Sequence, residues 1–210
     1  MKKIIFLNVI LILIILLGGG ALGYYVYQQN TYISTDDAQV AGDIVPVNTR
    51  AAGNLTTWNV KTGDNVKAND SIGTITAANG QQTVQAPIDG TIIKNNVIVN
   101  QPVSLGQSLA METNLNKLYV TANIEETYLN DLKNGQAVDV WVDAFPDVKL
   151  QGTIAQIGLA TNSSFSLLPT SSTSGTYTKV MQRIPIKIVL SGYGGKPLAP
   201  GMSATVQIHR

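Results

Sequence analysis

Val84-Gln-Ala-Pro-Ile-Asp-Gly-Thr-Ile-Ile93 restarts a pattern that the chain has already used once. Set beside Ala51-Ala-Gly-Asn-Leu55, it places Gly53 and Gly90 37 positions apart. The same offset pairs Val60 with Val97, Val66 with Val103, Asp70 with Gln107 and Ile72 with Leu109. Each copy reads as a short strand leaving a glycine, a polar turn (Lys61-Thr-Gly-Asp64, then Val99-Asn-Gln-Pro102), a valine, a second turn and a closing apolar pair. Such units cannot bury their apolar face alone, so two of them, residues 46–76 and 83–112, are expected to interlock as a small sandwich. Between them Asn79-Gly80 reads as a two-residue hairpin, because both residues tolerate positive φ.

Upstream, 23 residues from Ile4 to Val26 carry Asn8 as their one strongly polar side chain, and no charge stands between Lys3 and Asp36. As a helix this stretch is roughly 34 Å long, enough for a hydrocarbon core of about 30 Å. Lys2 and Lys3 precede it, so the positive-inside rule leaves the N-terminus in the cytoplasm and the remainder outside, with Tyr24, Tyr25 and Tyr27 at the outer interface. Ala21-Leu22-Gly23 also has the small residues of a signal-peptidase site, but no polar region precedes it, and an uncleaved single-pass anchor is the expectation. Residues 1–30 are read as anchor and spacer.

The whole chain of 210 residues holds 14 Lys and Arg against 13 Asp and Glu. Beyond the anchor the count is 12 against 13. This is no footprint for a nucleic acid. With no cysteine there is no disulfide, thiolate metal site or cysteine nucleophile.

Asp36–Ala41 and Ile44–Val47 are extended in character, with Pro46 placing its strand at an edge. They are grouped with the repeat in a sandwich domain over residues 31–113. Beyond the linker Asn114–Lys117, strands are expected at Leu118–Ile124, Ala137–Val142, Leu150–Ile157, Lys179–Leu190 and Met202–Ile208. One short helix is expected at Glu125–Lys133, ended by Asn134-Gly135. A polar stretch runs from Gly158 to Thr178. Residues 114–210 thus read as a small antiparallel β-barrel, and the fold class as mainly β: an N-terminal transmembrane helix, a lipoyl-like barrel-sandwich hybrid, then the barrel.

The duplicated unit with Ala86-Pro-Ile-Asp-Gly90 resembles the biotinyl/lipoyl-like sandwich, and behind an N-terminal anchor it resembles a membrane fusion protein of the HlyD family. Thr35-Asp-Asp-Ala-Gln-Val-Ala-Gly42, Ser164-Phe-Ser-Leu-Leu-Pro169 with Thr178-Lys-Val-Met-Gln-Arg-Ile-Pro-Ile186, and Pro200-Gly-Met202 resemble the EmrA-type branch. The resemblance implies an extracytoplasmic, oligomeric, non-enzymatic adaptor for an exporter in the inner or only membrane. In this branch the exporter is a major facilitator permease rather than an ATPase transporter. Relatives in two-membrane bacteria insert a long α-helical hairpin between the lipoyl-like halves; here that place holds Ala77-Ala-Asn-Gly-Gln-Gln82. An outer-membrane channel is therefore not expected as a partner, whether the source has one membrane or the hairpin was deleted by design.

No catalytic, metal or cofactor site is expected. A lipoyl or biotin carrier needs a lysine at the hairpin tip, and Asn79-Gly80 offers none. Asp36-Asp37 has the form of a paired-carboxylate site but lacks neighbours that would tune it, so a solvated strand entry is the expected role. His209, the single histidine, has no carboxylate that the sequence places beside it. The apolar island Phe165, Leu167 and Leu168 reads first as a plug for the barrel end; with Lys179 and Arg183 it is also the candidate contact for a substrate or the permease. A surface-anchored binding or cell-wall module without any exporter is the rival from another functional class.

Overall fold

The computed structural model describes residues 12–13, 15–20, 31–160 and 181–210. Two compact units contain them. One holds the described chain up to Gln39 with Val120–Lys196 and Ser203–Arg210; the other holds Val40–Tyr119 and Pro197–Met202. Residues 12–13 and 15–20 are helical, and most of the expected anchor lies outside the described residues. Among those described, no helix is long and apolar enough to cross a membrane.

The second unit is the sandwich. Its strands are β2 (Ile44–Asn48), β3 (Gly53–Trp58), β4 (Asn65–Val66), β5 (Ser71–Ala77), β6 (Gly80–Gln85), β7 (Gly90–Asn95), β8 (Pro102–Val103) and β9 (Ser108–Thr113). They form two four-stranded sheets, β2-β9-β7-β4 and β6-β5-β3-β8. Adding 37 residues turns β2, β3, β4 and β5 into β6, β7, β8 and β9, so each sheet is the repeat image of the other and each draws strands from both copies. Val47, Leu55, Ile72, Ile75, Val84, Ile92 and Leu109 fill the space between them.

The hydrogen bonds show how the copies interlock. Gly63 N–H donates to Ile92 O and Asn100 N–H to Leu55 O, at 2.8 and 2.7 Å; Ile92 N–H donates to Asp64 O and Leu55 N–H to Gln101 O, at 2.9 and 3.0 Å. The first turn of each copy is thus closed by a strand of the other, which is why neither half satisfies its backbone alone. The positions of positive φ repeat as well, with the residue types exchanged: Gly63 at 99° faces Asn100 at 72°, and Asn69 at 72° faces Gly106 at 80°. Asparagine and glycine are the residues that enter this region most readily.

The hairpin joining the copies differs in detail from its expected form. Ala77 pairs with Gly80, so Ala78-Asn79 make the loop. Gly80 carries a positive φ of 108° and Asn79 does not. This is the pattern of an ordinary turn followed by a left-handed glycine, whose twist suits an antiparallel pair.

The first unit is a closed six-stranded barrel in the order β1-β10-β13-β12-β11-β14. Its strands are β1 (Tyr32–Ala41), β10 (Tyr119–Glu125), β11 (Ala137–Val142), β12 (Lys149–Ile157), β13 (Arg183–Leu190) and β14 (Ser203–His209). Alternation fills the interior: Val120, Ala122 and Ile124 on β10, Val138, Val140 and Val142 on β11, Ile184, Ile186 and Ile188 on β13, Val206 and Ile208 on β14 are all buried. Grouping residues 31–113 as one sandwich domain misplaced β1, which closes the barrel against β14, with Tyr32 opposite His209 and Thr35 opposite Val206. The expected helix is a 3-10 turn over Glu126–Asp131 with no buried residue. Six residues including Thr, Tyr, Asn and Asp have neither the length nor the propensity for an α-helix.

Candidate functional site

Among the described residues, a polar cleft of the barrel is built where β1, β10 and β13 begin or end. The register between β1 and β14 slips between Thr35 and Ala38, and that bulge carries Asp36 and Asp37. Thr35 Oγ1 donates to Asn123 O at 3.1 Å and accepts from Asp37 N–H at 3.1 Å. Asn123 Nδ2 donates to Asp37 Oδ1 at 3.0 Å, and Arg183 Nη1 pairs with Asp37 Oδ2. A bulge re-aims side chains, and here it separates the neighbouring carboxylates. Asp37 is held in the Arg183 pair, whereas Asp36, exposed, joins Ser34, Asn123, Glu125, Tyr128 and Arg183 in lining a cleft of about 360 Å³.

Arg183 is therefore a neutralised cation, not an open one. Phe165, Leu167, Leu168 and Lys179 lie outside the described residues. The chain that carries them runs between β12 and β13 and re-enters the described structure just before Arg183. Of the sequence candidates, the cleft contains Arg183, and it adds Glu125 and Tyr128, which sequence reasoning did not single out. Arg210 stacks over the Tyr128 ring at 5.3 Å and pairs with Asp131 at 3.5 Å.

His209 does meet a carboxylate. Asp139 Oδ2 lies 3.0 Å from both His209 Nε2 and Lys149 Nζ, while Tyr32 packs edge-on to the His209 ring. Burial works to raise the Asp139 pKa, but the hydrogen bonds and charges of Lys149 and His209 outweigh it and hold the carboxyl below its ordinary value. With Lys149 on the same oxygen this is an ion-pair cluster. Among the described residues no group of His, Asp and Glu has the make-up of a metal site. The signal that would have found it is β11–β12 and β11–β14 register, which sets Asp139 opposite Gln151 and Gln207 and so within diagonal reach of Lys149 and His209.

Residues 43–114 match the family model for the YhbJ barrel-sandwich hybrid domain, and residues 117–209 that for the AAEA-like beta-barrel domain. YhbJ of Bacillus subtilis (strain 168), named as an efflux system component, is 42% identical over 208 residues, which is 98% of this chain and 92% of that protein. EmrA of Haemophilus influenzae, named a multidrug export protein, is 35% identical over 128 residues, 60% of this chain and 33% of EmrA. The chain belongs to the EmrA-type branch of the membrane fusion proteins. In fold it is similar to the membrane fusion protein Spr0693 of Streptococcus pneumoniae R6, with a TM-score of 0.61 at 16% identity over 84% of this chain and 97% of that one. Members of this family are non-enzymatic adaptors. The chain spans nearly all of YhbJ but about a third of EmrA.

Proposed function

We propose that the protein is the adaptor subunit of a multidrug-type efflux or secretion system, held by residues 1–30 as a single-pass anchor and coupling a membrane permease to an extracytoplasmic conduit of several copies. The observation that carries the reading is the near full-length correspondence to an efflux system component, on a chain whose two described units are a duplicated sandwich and a closed barrel. Catalysis plays no part; the adaptor works by holding the permease and by packing side by side.

The anchor is supported by the sequence and by exposure: Ile12, Leu13, Ile15, Leu16 and Leu17 are helical and 56% to 70% exposed, a surface that water does not tolerate in series. A major facilitator permease is the partner assigned, from the branch. The Ala78-Asn79 loop gives the sandwich no helical hairpin, so an outer-membrane channel is left out of the assembly. The apolar island Phe165, Leu167 and Leu168, with Lys179 and Arg183, is assigned to permease or substrate contact.

Purification of tagged full-length protein from its own membrane in mild detergent, followed by mass spectrometry, tests the reading. A multi-spanning permease in the eluate is expected. Emergence without any transporter, even after crosslinking, would sink it in favour of an anchored binding module.

A further inference from the structure

The barrel order and its antiparallel registers gather the starts of β1, β11 and β13 and the ends of β10, β12 and β14 at one rim. Tyr32 pairs with His209, Val138 with Ile208 and Ile157 with Ile186, and Glu126 N–H donates to Gln182 O at 3.0 Å. The described strands and connections of the barrel expose four large hydrophobic side chains, and three of them stand at this rim. Leu159 follows β12 by two residues and is fully exposed; Met181 precedes β13 by two and is 69% exposed. Leu129, 38% exposed, lies in the 3-10 turn that leaves β10. The fourth, Val189, is one residue from the far end of β13.

The same rim receives the chain from the apolar N-terminal stretch. Five residues separate Val26, the last of that stretch, from Tyr32 at the head of β1, a reach of about 20 Å at full extension. We propose that this rim rests on the outer surface of the lipid bilayer, with Leu129, Leu159 and Met181 entering the interface as a second attachment beside the anchor. This rests on the anchor assigned in the proposed function. The tether decides the occupant. It keeps the rim within reach of lipid, so any other apolar partner must displace a surface already present at high effective concentration. The charges decide the kind of contact. Arg183 and Arg210 are paired with Asp37 and Asp131, which leaves Lys133 against Asp36, Glu125 and Glu126. The described rim therefore carries no cationic patch for lipid phosphates, and burial of apolar side chains must hold it.

The chain has no cysteine, so single labels can be placed at will. In the full-length protein an environment-sensitive fluorophore is attached to L159C or to A144C, the latter exposed in the β11–β12 turn at the far rim. Each protein is reconstituted, without any permease, into phosphatidylcholine vesicles whose acyl chains carry nitroxides. Both are expected to float with the vesicles. The label on L159C is expected to shift to the blue and lose emission to the nitroxides, and that on A144C to do neither. Adding L129S/M181S, with thermal unfolding unchanged, is expected to return the L159C emission towards that of A144C, whereas raised salt is expected to leave it quenched. Floating protein whose two labels respond alike overturns the rim contact and leaves the anchor standing. Protein that fails to float overturns the anchor, and the rim contact with it. Quenching that survives L129S/M181S, or that salt abolishes, overturns the apolar contact.

Discussion

Glu112 occupies the position that Ile75 holds in the other copy, 37 residues earlier. It is 0% exposed, Oε1 accepts from Ile88 N–H at 2.7 Å, and Oε2 has no hydrogen-bond partner. Burial raises its pKa, and the Ile88 hydrogen bond only partly opposes this. Its stabilising contribution is therefore complete below the ordinary glutamate value of 4.5 and is lost as pH rises through the raised folded value, at about 1.4 kcal/mol for each unit of elevation. In E112Q the amide oxygen still accepts from Ile88 and nothing ionises. E112Q and the natural chain should unfold together near pH 4, whereas at pH 9 the variant should be the more stable, by thermal or urea unfolding; parallel curves across that range would show that Glu112 is not protonated in the fold. Asp139 has the opposite sign. Its folded pKa lies below the ordinary value of 3.8, so its contribution is present above that value and is lost as pH falls through the depressed one. D139N should cost about 1–2 kcal/mol at neutral pH and flatten the acid limb of the stability profile; a wild-type acid limb in D139N would assign acid sensitivity elsewhere.

At the scale of elements the two glycines that first betray the repeat are held by close approach. A Cβ on Gly90 would stand 2.7 Å from Thr113 O, and one on Gly53 would stand 2.3 Å from Thr76 O. Thr76 and Thr113 are themselves repeat partners, so each copy pins its opening strand to its closing strand in the same way. Backbone is in the way at both sites, and G53A and G90A should each cost about 1–3 kcal/mol, read as a lowered urea midpoint with an unchanged slope; a neutral G90A would mean that β7 and β9 can part without loss. Local chemistry carried this far into the fold: a turn needs its Gly or Asn, and a strand needs its Val, so the sandwich was legible as a duplicated pattern. What local chemistry does not carry is closure. β1 reads as an extended segment ahead of the sandwich, and only pairing across more than 160 residues, Ile33 with Ile208, makes it a barrel strand. The β11–β14 register brings Asp139 to His209, and the barrel order sets Asp37 on β1 and Arg183 on β13 either side of β10, which is why the sequence shows each of these side chains without its partner.

At the scale of the whole molecule, the described residues offer a narrow choice for what would meet the proposed exporter. The sandwich interior is filled and the barrel interior is filled, so neither is a passage through one copy. The cleft beside Arg183 is polar and its cation is already paired with Asp37, which makes it a poor anion trap. Contact with a membrane-embedded partner needs apolar side chains, and Phe165, Leu167 and Leu168 supply them in the sequence. In the full-length protein F165S/L168S should reduce permease co-purification by at least about tenfold, the loss of some 1.4 kcal/mol of contact, while thermal unfolding of the barrel stays as it was. If instead the double substitution lowers the unfolding temperature and the permease still binds whatever remains folded, those side chains plug the barrel end, and the coupling surface belongs to another part of the chain.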